Sequence, residues 1–275
     1  MNRAAALLAL AIPVAAGLAF MATQGAPSHY LAINGGCLLI ALGLVAFVPH
    51  PKVEDDVAAV ILTALLFMPF FIGPEINGVH RWIGSGPIGL NSALLALPAL
   101  AVFAARMEWR PRLGLSLAAL AAAVVQPDAS LALAVGGAAI GVALATRDTK
   151  PALVAIAGLL AAIWAHKRGL LPPQAFVEQV YLDAAAIHPL WLVLLVVATI
   201  VGIVLIALDR SIGRPERFAL AGAMTGFVYT AAISSYPTPL VGYSAAPILG
   251  LAIALWLARR APTRTRDEDP AAQNA

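Results

Sequence analysis

Three polar segments interrupt a chain that is otherwise apolar along most of its length, and each carries residue types with chemistry to offer. The first runs Gly73-Pro74-Glu75-Ile76-Asn77-Gly78-Val79-His80-Arg81-Trp82-Ile83-Gly84-Ser85-Gly86-Pro87. Its glycines and prolines prescribe the backbone closely. Arg81 brings a rigid guanidinium fork that matches phosphate oxygens. Trp82 is suited to the headgroup level of a membrane, which leaves Arg81 facing water or an anionic headgroup. A plain interfacial anchor is the simpler reading of the same pair. The second segment, Gln126-Pro127-Asp128-Ala129-Ser130, can open one helix at Pro127 and cap the next with Asp128 and Ser130. A carboxylate near bilayer depth is costly without a partner, and Arg81 is the partner the sequence offers. The third, Ser234 to Pro247, concentrates hydroxyls and helix breakers around Tyr236, Tyr243 and Ser244. It reads either as aromatic belt or as the wall of a shaped pocket.

A longer polar stretch, His166 to His188, contains Lys167, Arg168, Glu178, Tyr181 and Asp183. A short amphipathic helix over 173–186 would lie on the membrane surface as a lid. Glu178 and Asp183 are carboxylates not already tied to a span end, so a general base is sought there, Glu178 first and Asp183 second.

The elements that must position these residues are membrane helices. Hydrophobic residues make up 61% of the 275 and charged residues 11%, a composition no soluble domain can hide from water. Ten apolar segments stand out, at roughly 3–22, 31–49, 56–73, 88–106, 111–126, 129–146, 151–166, 189–209, 216–235 and 240–259. Most end at charge clusters or Pro/Gly turns. The reading is an all-α polytopic membrane protein of ten transmembrane helices, with a short outer loop between helices seven and eight. Only Pro127-Asp128 separates the segments 111–126 and 129–146, so one broken or re-entrant helix, and nine crossings, is the alternative. With both termini cytoplasmic, Arg81, Lys167 and Arg168 are the three outer cations, and the other fourteen of the 17 Lys and Arg lie inside. The segment at the N-terminus reads as a retained anchor rather than a cleaved signal, because its apolar run is long. Residues 1–261 form the membrane domain and 262–275 a disordered cytoplasmic tail. Inner-loop cations account for the net charge of +3, so no nucleic-acid partner is implied. Cys37 reads as a small packing residue, and no zinc-ligand spacing is present.

The three motifs, in order, resemble the SEDS family of shape, elongation, division and sporulation proteins. Gly78-Val79-His80-Arg81-Trp82-Ile83 is similar to the family's turn after its third span, Gln126-Pro127-Asp128-Ala129-Ser130 to the turn between its fifth and sixth, and Pro239-Leu240-Val241-Gly242-Tyr243-Ser244 to the turn before its tenth. The resemblance implies ten spans in the bacterial cytoplasmic membrane and an inverting glycosyl transfer at its outer face, from a lipid II-like, undecaprenyl-diphosphate-linked sugar. It implies a carboxylate base, Glu178 or Asp183, and a leaving diphosphate met by Arg81 with Lys167 or Arg168. A divalent cation, Mg2+ or Mn2+, would assist. Trp82, Asp128, Tyr243 and Ser244 complete the expected substrate-binding set, and a cell-envelope protein is an expected partner. The chain departs from the family where Leu90-Asn91-Ser92-Ala93 replaces a Gln-Pro-Ser-Glu pattern, and in the shortness of the loop that supplies the family's essential Asp. Two other function classes remain open: a non-catalytic binder or transporter of a polyprenyl-linked lipid, and a membrane scaffold.

Overall fold

A computed structural model describes residues 3–49, 53–84 and 89–259. Lys52, Ser85 to Pro87 and the expected cytoplasmic tail at 262–275 lie outside the described residues. The helices are α1 (Arg3–Thr23), α2 (Ser28–Phe47), α3 (Asp55–Phe67), α4 (Pro69–Ile72), α5 (Ser92–Arg106), α6 (Trp109–Val125), α7 (Ala129–Thr146), α8 (Pro151–His166), α9 (Val180–Ile187), α10 (Pro189–Leu208), α11 (Arg214–Ile233) and α12 (Ala245–Ala258). A two-residue antiparallel ladder, β1 (Trp82–Ile83) against β2 (Leu90–Asn91), pairs Trp82 with Asn91.

The helical class agrees with the sequence reading, and the count of ten crossings does not. Among the described residues four helices, α1, α2, α7 and α10, are long and apolar enough to cross a membrane. Each of the other six apolar segments contains a helix that falls short in length or apolarity. Helices α3, α12, α5, α8 and α6 have 13, 14, 15, 16 and 17 residues. At about 1.5 Å per residue these cover about 20–26 Å, less than a hydrocarbon core of about 30 Å. In the third segment the helix breaks at Met68, because Pro69 has no N–H to continue it, and only the four-residue α4 follows. Helix α11 has the length but opens on Arg214, Glu216 and Arg217, which lower its apolarity. Helices α6 and α7 are separate elements, divided at Gln126 to Asp128. The loop expected between spans seven and eight runs from Lys167 to Gln179 and leads into α9.

The chain is a multi-pass membrane protein. Helix α10 leaves Leu190, Val193, Val197, Ile200 and Leu208 between 51% and 70% exposed, an apolar surface that water would not tolerate and lipid does. Packing centres on α7, which lies between α8 and α11. Backbone meets backbone there: a Cβ on Gly137 would sit 2.2 Å from the Gly222 carbonyl oxygen, and one on Gly222 2.1 Å from that of Gly137. Small residues permit such an approach, and close packing is what holds helices together in lipid.

At one end of the bundle, basic side chains tie helix termini together. Arg106 donates to Asp55 (3.0 Å) and to the carbonyls of Leu257 (2.9 Å) and Ala258 (3.2 Å), and lies 3.6 Å from Glu216. Arg259 donates to the carbonyl of Val45 (2.6 Å), and Arg3 to that of Ala46. The three polar motifs gather at the opposite end.

Candidate functional site: an aromatic-walled cavity beside a buried arginine

Arg81 is turned inward. Its side chain is 2% exposed, and its guanidinium donates to the carbonyls of Pro127 and Gly169 (2.6 Å to the latter) and to the hydroxyl of Tyr236 (3.2 Å). Its Nε lies 3.9 Å from Asp128 Oδ2, and its guanidinium carbon stands 4.6 Å above the Tyr236 ring. Asp128 is fully buried. Its Oδ1 accepts from the backbone N–H of Ser130 and Leu131 and from the Ser130 hydroxyl (2.6 Å), closing the N-terminus of α7. Tyr236 accepts in turn from the backbone N–H of Ala129 (3.1 Å). One cation thus joins the three motifs and the start of the 167–179 loop. Gly169 has no room for a side chain, since a Cβ there would meet the Pro127 carbonyl and the Arg81 guanidinium. Gln126 adds a further tie by donating to the carbonyl of Leu66 beside the α3 break.

Above this knot lies a cavity of about 330 Å3, lined by the N-terminus of α2, the turn leading to β1, the loop before α9 and the Pro237–Ala245 segment. Aromatic rings form much of its wall: Tyr30 and Tyr243 stack with centroids 3.6 Å apart and planes 1° from parallel, His29 packs edge-on to both, and Trp82 lines another side. Hydrogen-bonding groups form the rest, from Asn91, Gln174, Glu178 and Ser244. Asn34 fixes the Tyr243 segment from below, donating to the Gly242 carbonyl (2.9 Å) and accepting from Ser244 N–H (3.2 Å). Gln174 donates to the Tyr30 hydroxyl (2.9 Å). Two strand-like contacts clamp the loop before α9 onto the same segment: Thr238 N–H donates to the Val177 carbonyl (2.8 Å) and Tyr243 N–H to that of Phe176 (2.6 Å).

Two features of the lining stand out. Asn91 is 2% exposed and spends its Oδ1 on the N-terminus of α5, accepting from Leu94 N–H (3.0 Å), while its Nδ2 has no partner among the described residues. A buried amide donor without a partner is costly. Glu178 also sits between two non-glycine residues in the left-handed region, Phe176 (φ 65°) and Gln179 (φ 58°). Such conformations cost about 1–3 kcal/mol each and collect at ligand sites. Burial pushes the Glu178 carboxyl above its ordinary value, against the opposing pull of hydrogen bonds from backbone N–H groups, Gln174 among them, and of the positive charge of Arg81.

The expected site residues therefore separate into groups. Trp82, Glu178, Tyr243 and Ser244 line the cavity together. Arg81 and Asp128 lie behind its wall, bonded to protein. Asp183 is exposed on α9 and does not line the cavity. Lys167 and Arg168 do not line it either; Arg168 lies over the Trp164 ring, 4.2 Å from its centroid. Among the lining residues Glu178 is the sole carboxylate, and no Lys or Arg is present. Among the described residues no three His, Cys, Asp or Glu side chains are grouped to hold a metal ion. Tyr30, Asn34, Asn91 and Gln174 were not singled out by motif. Asn34 carried a signal nonetheless, as an amide within an apolar run where only a bonded polar group is tolerated.

No family model matches the chain, and neither a curated protein nor a solved structure matches it. The SEDS resemblance gains no support from these comparisons, and the ten-span architecture it implies is not the one found.

Proposed function

We propose that this chain binds a polyprenyl-linked glycolipid without transforming it, holding the sugar headgroup in the aromatic-walled cavity. The observation that carries this reading is the cavity of about 330 Å3 walled by Trp82, Tyr30 and Tyr243, with neutral hydrogen-bonding residues between the rings. That volume falls at the small end of the range of about 300–1,000 Å3 for ligand sites. Flat aromatic faces and neutral hydrogen-bonding groups suit the apolar faces and hydroxyls of a sugar. The lining carries no cation for a diphosphate, because Arg81 is already bonded to protein. A single carboxylate with no grouped metal ligands supports binding over catalysis. We assign the cavity to the outer face of a bacterial cytoplasmic membrane, with both termini cytoplasmic. The Arg3, Arg106 and Arg259 ties at the opposite end support that orientation through the preference of cations for the cytoplasmic side.

The test is binding of an undecaprenyl-diphosphate-linked disaccharide to purified protein, followed by tryptophan fluorescence, with product analysis in parallel. Saturable binding without product is expected. Asn91→Leu and Trp82→Leu should each weaken it about tenfold, equivalent to about 1.4 kcal/mol. Absence of binding, or turnover of the donor, would overturn the proposal.

A further inference from the structure

A second cavity, of about 480 Å3, opens along α10 and α11 beneath α9. Its lining extends from Leu192 to Val204 on α10, a depth of about 18 Å at 1.5 Å per residue, and from Thr225 to Ala232 on α11. Tyr181 and Leu182 of α9 form its roof. The lining is hydrocarbon apart from three hydroxyls, and all three are satisfied internally. Thr199 donates to the Leu195 carbonyl (2.8 Å), so its single proton is spent and Tyr181 is the donor in their 2.9 Å contact. Thr225 donates to the Ala221 carbonyl (2.8 Å). The groove therefore offers no free polar group to its contents, and only an apolar occupant fits without cost. Leu182 (55%), Ile200 (53%) and Val204 (44%) are exposed along its mouth, which opens sideways from a helix apolar enough to cross a membrane. Hydrocarbon is what the bilayer supplies there.

The groove also adjoins the headgroup cavity along the chain. Glu178 lines one and Tyr181 the other, so at most about 10 Å of backbone separates them. The buried cluster of Phe20, Val180, Tyr181 and Leu195, with Phe176 and Trp191 packed on it, holds α9 in place. Phe20 meets Trp191 (5.5 Å) and Phe176 (6.2 Å) edge-to-face. A roof anchored in this way would obstruct a further membrane-crossing helix. A flexible chain can enter from the side.

We infer that the groove between α10 and α11 seats the hydrocarbon chain of the same lipid whose headgroup occupies the aromatic cavity, so that the loop before α9 is straddled by one ligand. This inference rests on the headgroup reading and adds a second site of recognition to it.

The test compares two probes on full-length protein in detergent: the undecaprenyl-diphosphate-linked disaccharide, and the same headgroup on a chain of a few carbons. Wild type should bind the long-chain probe at least tenfold more tightly. Ala232→Phe fills the groove from an exposed position and should remove that advantage while leaving short-chain affinity unchanged. Ala185→Leu, beneath the roof, should do the same. Equal affinity of wild type for both probes would leave the headgroup reading standing and overturn this one. Failure of both probes to bind would instead overturn the headgroup reading. Equal weakening of both probes by both variants would mean distortion rather than occlusion, and would also overturn the inference. Displacement of the long-chain probe by an ordinary phosphatidylglycerol at equal concentration would show that the groove takes any bilayer chain, which refutes a shared ligand.

Discussion

Replacing Arg81 with Met tests whether the arginine is an internal tie or a ligand group. The aliphatic part of the side chain is kept and the charge removed. What is left behind is a fully buried Asp128 whose Oδ1 still has three donors and whose Oδ2 has lost the Arg81 cation. The carbonyls of Pro127 and Gly169 and the face of Tyr236 lose their contact as well. Removing one partner of a buried pair costs about 3–5 kcal/mol, because the remaining charge is uncompensated. A loss of that size is comparable to much of the stability of a typical domain, which is about 5–15 kcal/mol. The double variant Arg81→Met/Asp128→Asn removes the stranded charge but keeps a cap oxygen for α7. It should recover about 1–3 kcal/mol of the loss, the usual coupling between contacting residues. Reversible unfolding in mixed detergent micelles, followed by circular dichroism, gives all three stabilities. Glycolipid affinity should change little in whatever fraction remains folded. A single variant as stable as wild type but unable to bind the lipid-linked disaccharide would refute this reasoning and make Arg81 a phosphate ligand.

Two further outcomes follow from the packing and from the raised carboxyl of Glu178. Gly137→Ala should destabilise the protein by about 1–3 kcal/mol through overpacking against the Gly222 carbonyl, while Gly43→Ala, where a Cβ meets nothing within 4 Å, should not; unfolding midpoints compare them. The folded protein holds the Glu178 proton more tightly than the unfolded chain, so native protein binds the extra proton once pH exceeds the ordinary value of about 4.5. Stability should therefore fall as pH rises from there through the raised folded value, and Glu178→Gln should flatten that part of the pH–stability curve.

Much of the local punctuation was legible in the sequence, whereas the heights of the helices were not. Pro127-Asp128 marked the boundary between α6 and α7, and Asp128 has the short side chain that an N-cap needs. Hydropathy counts apolar residues, however, and a bilayer counts rise. The run 56–73 contains enough apolar residues for a span, yet Pro69 divides it into pieces of 13 and four residues. The run 240–259 loses Leu240 to Ser244 to the segment that binds Asn34 and Phe176, and 14 helical residues remain in α12. Long-range demand for those residues was not visible in their composition. The same holds for Gly169, whose missing side chain makes room for Arg81 from 88 residues away.

The arrangement at the motif end also explains why one arginine could suggest phosphate chemistry in sequence and serve structure in space. A Gly-rich turn, a proline-opened helix junction and a hydroxyl-rich loop all expose backbone groups that a membrane protein must satisfy internally. Arg81, with five N–H donors and a permanent charge, can satisfy several at once: two carbonyls, a tyrosine hydroxyl and the field of Asp128. On the proposed reading, those bonds give it to structure rather than to a ligand. Recognition, on the same reading, falls to the groups those same segments hold at the cavity, the Trp82 and Tyr243 rings with Asn91 beside them, fixed by the backbone that Arg81 and Asn34 keep in place. The motif residues thus divide into a buried layer that shapes the cavity and an open layer that lines it. Position relative to the cavity, rather than residue type, decides to which layer each belongs.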